Sequence, residues 1–102
     1  MKLYNKNSEV FFPDGKEDLK RTTHLAISAH HDDIELMAMH GVLECFGKDD
    51  KWFTGVVTTD GAGSPRDDLY ADYTDEQMKQ VRIVEQKKAA YVGEYAAQLL
   101  LG

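Results

Sequence analysis

His24-Leu25-Ala26-Ile27-Ser28-Ala29-His30-His31-Asp32-Asp33-Ile34-Glu35 joins two kinds of order within twelve residues. Leu25 to Ala29 is a continuous small-to-apolar run, the pattern of a strand covered on both faces. Directly after it, Ile34, Met37, Ala38, Gly41, Val42 and Cys45 recur at intervals of three and four, the period of an amphipathic helix. Gly47 is placed to stop that helix. A strand running straight into a helix is half of a βαβ unit, and the chain goes on to repeat it. Trp52 to Thr59 is rich in β-branched and aromatic residues and reads as a second strand. Asp60-Gly61-Ala62-Gly63-Ser64-Pro65 reads as a loop, which the polar sequence to Tyr73 continues. Thr74 and Gln77 have the spacing of a capping box. Met78, Val81 and Val84 follow at helical spacing, Gly93 ends the helix, and Ala96 to Leu101 reads as a third strand. The expected fold class is α/β, with a parallel sheet built from βαβ units.

Upstream, residues 1–23 read as an N-terminal extension to a domain spanning 24–102. Its one apolar run, Val10-Phe11-Phe12, is stopped by the turn sequence Pro13-Asp14-Gly15. Downstream, Leu99-Leu100-Leu101 is expected to leave an apolar strand at a sheet edge. Such an edge invites pairing, so a homo-oligomer formed through it is expected.

Composition narrows the function classes. The 102 residues are 42% hydrophobic and 29% charged, in the range of one small globular domain. A net charge of -6 argues against nucleic-acid binding, which needs clustered Lys and Arg. There is no basic amphipathic stretch for a membrane surface and no apolar run long enough to span a bilayer. Cys45 is the only cysteine, so neither an intrachain disulfide nor a cysteine-built zinc site can form. Met1 to Asn7 is polar, unlike a signal peptide. A reducing, cytoplasmic setting is the expectation.

The chemistry concentrates in the turn between the first strand and the first helix. In open α/β sheets the ligand crevice lies at the carboxyl ends of strands, and a helix start is electropositive. A metal-dependent hydrolase needs an imidazole and a carboxylate on the metal and a base for its water. His30 and Asp33 can supply the first two, and Asp32 the third. The spacing of Asp32 and Glu35 equally fits a helix N-cap with its reciprocal partner. Both readings stand on the sequence alone.

The stretch resembles the AHPDDE-type signature of the LmbE/PIG-L deacetylases. Val57-Thr58-Thr59-Asp60-Gly61-Ala62-Gly63 resembles that family's second strand and T-D-G loop. Arg82-Ile83-Val84-Glu85 resembles its R-x-x-E helix, with Ala89-Ala90 and Gly93 following. Glu9 to Gly15 resembles the N-terminal extension of one bacterial branch. The resemblance covers nearly all of this chain but only the first part of a family member. It implies a Rossmann-like fold and a zinc-dependent hydrolase that removes an acetyl group from an N-acetylated sugar or sugar conjugate. It further implies His30 and Asp33 as zinc ligands, Asp32 as general base, and Arg82, Asp60 and Gly61 as substrate contacts. Iron(II) or another divalent ion suits a His/Asp site as well.

The chain departs from the family pattern at three places. His31 stands where the family has Pro, and Met39-His40 where it has Gly-Gly, with Gly41 just after. The family's third ligand, a later His, has no counterpart, and His24 precedes the motif. Two protein ligands make a weaker site than the usual three, so this chain alone is expected to have little or no activity. Two other readings remain: a non-catalytic truncated domain that assembles with itself or a missing half, and a metal-dependent phosphoesterase. The Gly-rich loop lacks the lysine of a P-loop, which weighs against the latter.

Overall fold

A computed structural model describes residues 8–29, 38–59 and 72–102. These form strands β1 (Glu9–Phe11), β2 (His24–Ser28), β3 (Phe53–Val57) and β4 (Ala97–Leu100), and helices α1 (Met39–Cys45) and α2 (Asp75–Val92), with a 3-10 turn at Leu19–Arg21. The sheet order is β1-β4-β3-β2. β2, β3 and β4 run parallel, in register Ser28↔Val57 and Val57↔Leu100. The two expected βαβ crossovers are therefore present.

The sheet is mixed rather than wholly parallel. The segment read as an extension contributes β1, antiparallel to β4 with Glu9↔Leu100 and Phe11↔Gln98. The Ser8 hydroxyl adds a bond to the Leu101 carbonyl. This overturns the expectation that Leu99-Leu100-Leu101 forms an exposed edge. β4 is interior, between β1 and β3, and the sheet's margins are β1 and β2. The physical reason is that β1 supplies the backbone partners that an apolar strand next to the chain end lacks.

Strand order from β2 to β4 advances in one direction. Right-handed crossovers then place both helices on the same face, and the core agrees. Val42 and Cys45 of α1 and Ala90 of α2 pack with Phe53, Val57, Tyr95 and Leu100, flanked by Phe11, Ala26, Ala38 and Ile83. The opposite face carries Leu25, Thr54 and Ala97 in one row and Ile27, Val56 and Leu99 in the next. Thr54, Val56 and Ala97 are buried, but Leu25 and Ile27 at the β2 margin are 58% and 60% exposed.

The helix ends follow the sequence signals. Thr74 accepts from the Gln77 amide, and the Gln77 side chain accepts from the Thr74 amide at 2.8 Å, closing the capping box. Gly47 has φ 72 just past α1. Gly41 of α1 faces β3, and a Cβ there would meet the Phe53 ring at 3.4 Å, an ordinary contact. The inward side of α2 differs from expectation at one position: Val84 is exposed, and Met78, Gln86 and Ala90 are buried. No described helix is long and apolar enough to cross a membrane.

Candidate functional site

β2 and β3 end side by side, and both run into stretches that the sequence marks as functional. The Thr58 amide donates to the Ser28 carbonyl at 3.0 Å, continuing the ladder beyond the last paired residues. One step further, the Thr59 hydroxyl donates to the Ala29 carbonyl. The chain thus enters the His30 stretch and the Asp60 stretch from two neighbouring, mutually bonded points at the carboxyl edge of the sheet. His30, Asp32, Asp33, Asp60 and Gly61 themselves lie outside the described residues, as does the Asp32–Glu35 capping alternative. The start of α2, with Asp75 and Glu76 in its first turn, follows β3 at this edge.

Arg82 is described. It lies in the second to third turn of α2, its side chain 18% exposed, and Nη1 donates to Glu85 Oε2 at 3.0 Å. The i,i+3 pairing that the spacing permits is therefore made. The remaining described histidines lie away from the carboxyl edge or on the surface. His40 is exposed on α1. His24 opens β2, with Nδ1 3.2 Å from Cys45 Sγ and 2.9 Å from Thr23 Oγ1. At about 3.3 Å per residue, it stands about 13 Å from Ser28 along the strand, at the amino end. Within one copy it cannot join a metal held at the carboxyl edge. Among the described residues no group of three His, Cys, Asp or Glu could hold a metal ion.

At the amino ends of the strands lies a feature the sequence did not announce. A cavity of about 590 Å³ is lined by Pro13, Asp14, Trp52, Tyr91, Val92, Glu94 and Tyr95. Arg21 forms its organising contact. The guanidinium lies 4.0 Å from the centre of the Trp52 ring, donates two 2.9 Å bonds to the Asp14 carboxylate and a third to the Ala96 carbonyl at 3.2 Å. The Arg21 hydrogen bond is the main cause that holds the Asp14 carboxyl below its ordinary value. Glu94 is also engaged, accepting from the Gly47 amide at 2.9 Å. Both carboxylates of the cavity are thus occupied by the chain's own donors, and the cavity sits at the end opposite to the usual ligand crevice of such sheets. We read it as a structural joint. The turn signal at Pro13-Asp14-Gly15 was the only trace of it in the sequence.

Compared with protein-family models, with curated proteins and with solved structures, the chain has no match.

Proposed function

We propose that this chain carries the metal-holding part of an N-deacetylase site of the LmbE/PIG-L type, acting on an N-acetylated sugar or sugar conjugate. The observation that supports it is the joined base of the two motif stretches, where Thr58 and Thr59 bond back to Ser28 and Ala29. Stretches rooted one strand apart, at the edge where α/β sheets bind ligands, can act on one substrate. The βαβαβ run of β2, α1, β3, α2 and β4, with both helices on one face, supports reading the chain as one half of a Rossmann-like sheet.

The donor set suits the metal. His30 offers an imidazole and Asp33 a carboxylate, a mixture that zinc and iron(II) both accept. A bound zinc ion supplies Lewis acidity that polarises the acetamide carbonyl and acidifies water. Asp32 takes the proton from the attacking water and returns it to the departing amine. Asp60 and Gly61 border the substrate from the second stretch. Arg82 reaches the substrate by exchanging its ion pair with Glu85 for a hydrogen bond to a neutral sugar oxygen, a cost the substrate's other contacts must offset. A reducing cytoplasm, a small-molecule substrate and no dealings with nucleic acid or membrane belong to the same proposal.

A second reading, a non-catalytic domain that assembles with itself or a missing half, is favoured by the margin of the sheet at β2, where Leu25 and Ile27 are exposed. Calorimetric titration with zinc at neutral pH separates the two. The deacetylase reading expects about one zinc per chain, bound at least tenfold more weakly by Asp33→Ala, within the range that losses around a metal site produce. Zinc binding unaffected by Asp33→Ala, or no binding, would sink it.

A further inference from the structure

We propose that Thr59 is a positioning residue for the metal ligands: its hydroxyl holds the peptide group from which His30 departs, so that removing the hydroxyl loosens the grip on zinc without loosening the fold. This role for Thr59 rests on the zinc site proposed above.

The bonds at the carboxyl edge form a series across the sheet. The Ser8 hydroxyl bonds to the Leu101 carbonyl. The Leu101 amide donates to the Val57 carbonyl at 2.9 Å, and the Thr58 amide donates to the Ser28 carbonyl at 3.0 Å. Val57 is fully buried and Ser28 is 4% exposed, so this part of the edge is firmly seated. Thr59 stands one residue beyond the last backbone bond of the series, and its hydroxyl donates to the Ala29 carbonyl. The bond ties residue 29 to residue 59, each the last described position before a motif stretch.

The acceptor is what gives this bond its reach. The Ala29 carbonyl belongs to the peptide group that Ala29 shares with His30, and a peptide group is planar. The Thr58 bond fixes the preceding peptide group, between Ser28 and Ala29, and leaves both soft torsions of Ala29 free. Holding the Ala29 oxygen as well restricts those torsions, and with them the point at which the His30 backbone begins. Thr59 is itself joined covalently to Asp60. One side-chain bond therefore sets the starting points of both stretches relative to each other.

Threonine suits the task. Its branched Cβ leaves few accessible χ1 wells, so the hydroxyl is held in direction as well as in reach. Thr59 and Ala29 are both exposed, and water competes for each partner, so the bond adds little to the stability of the fold. Its value lies in order. A ligand that must be ordered at the moment of binding weakens that binding by the cost of the ordering. A bond that orders the chain next to His30 beforehand removes part of that cost. A bond that merely closes the end of the sheet would leave zinc affinity unmoved.

The test is calorimetric titration of the full chain with zinc at neutral pH, as the unaltered protein and as Thr59→Val, Thr59→Ser and Asp33→Ala, with urea denaturation of each without zinc. Thr59→Val keeps the shape and removes the hydroxyl, whereas Thr59→Ser keeps the hydroxyl and removes the methyl group. Thr59→Val is expected to bind zinc about tenfold more weakly, at the low end of what groups that orient metal ligands are worth. Thr59→Ser should restore most of the affinity, and the urea midpoints of the two Thr59 variants should match that of the unaltered chain. Thr59→Val binding as tightly as the unaltered chain, while Asp33→Ala binds weakly, overturns the role of Thr59 and leaves the zinc site standing. Thr59→Ser as weak as Thr59→Val overturns it too, since the methyl group and not the bond would then be at work. A Thr59→Val midpoint lowered enough to account for the lost affinity also overturns it. Zinc binding that is absent, or indifferent to Asp33→Ala, overturns this role together with the site it serves.

Discussion

Gly93 and Glu94 show how one residue's physical role can differ from its reading. Gly93 marks a helix end in the sequence, where glycine commonly supplies a left-handed turn. In the structure Gly93 has φ -79, and the left-handed residue is Glu94 at φ 56. Glycine is needed at 93 for space: a Cβ would lie 2.6 Å from Tyr95 Cε1 and 3.1 Å from the Ala89 carbonyl. Tyr95 is 1% exposed and packs edge-on against Phe53 at 4.7 Å, so it has no room to yield. Gly93→Ala is expected to cost about 1–3 kcal/mol, as overpacking does, measured by chemical denaturation. Glu94 accepts its conformation at a cost of about 1–2 kcal/mol, offset in part by its bond to the Gly47 amide.

Asp14 belongs to the same scale. Its carboxyl is held below its ordinary value, first by the Arg21 hydrogen bond. A depressed folded-state value contributes stability above the unfolded pKa, and that stability is lost as pH falls through the folded value. Asp14→Asn is therefore expected to lower the denaturation midpoint at neutral pH and to flatten its decline toward acid. An unchanged acid limb would show that the Arg21 pair carries no such linkage. The pairing was not legible in the sequence, because seven positions separate two residues that no helix connects.

At the scale of elements, the local signals were read well. The strands beginning at Phe53 and Ala97 lie within the stretches their composition marked, β2 begins one residue ahead of its stretch, and Thr74 caps α2 through the predicted partner. What failed was a choice of face. Periodicity put Val84 inward because it counts apolar residues, yet α2 buries Gln86. The reason is a partner in another element: Gln86 Nε2 donates to Gln98 Oε1 at 3.1 Å, and Gln98 donates to the Leu99 carbonyl at 3.1 Å. Both glutamines are fully buried, and a buried amide costs little only when satisfied. Gln98→Leu is expected to destabilise by about 1–3 kcal/mol by removing the buried acceptor of Gln86 Nε2. Adding Gln86→Leu should restore part of the loss, and a double-mutant cycle with no coupling would refute the pairing. β1 escaped for a related reason: three residues are too few to show a period, and their strand partners stand some ninety positions away.

For the whole molecule, the sequence conveyed the direction of the sheet but not its margins. Repeated strand and helix patterns imply parallel crossovers, whereas which strand stays unpaired depends on where β1 lands. The candidate site divides the same way. His30, Asp32 and Asp33 are legible because a dense run of metal-ligating and proton-transferring groups stands out from its surroundings, whereas Asp60 and Gly61 were marked only by a resemblance. The Thr58 and Thr59 bonds that join the two stretches are ordinary residues and carry no such mark. The zinc measurement belongs to this scale, since it asks what the two stretches do together.

The pairing of β1 with β4 also has a kinetic consequence. Each βαβ crossover closes over a few tens of residues, whereas Ser8 meets Leu101 across 93 positions. Closing the longer loop costs more chain entropy, and that cost falls before the contact is gained. The β2–β4 unit is thus poised to assemble first, with β1 zipping onto it as the last step of folding. In the native protein the same strand is expected to peel away first, so amide exchange should begin at the edge opposite β2.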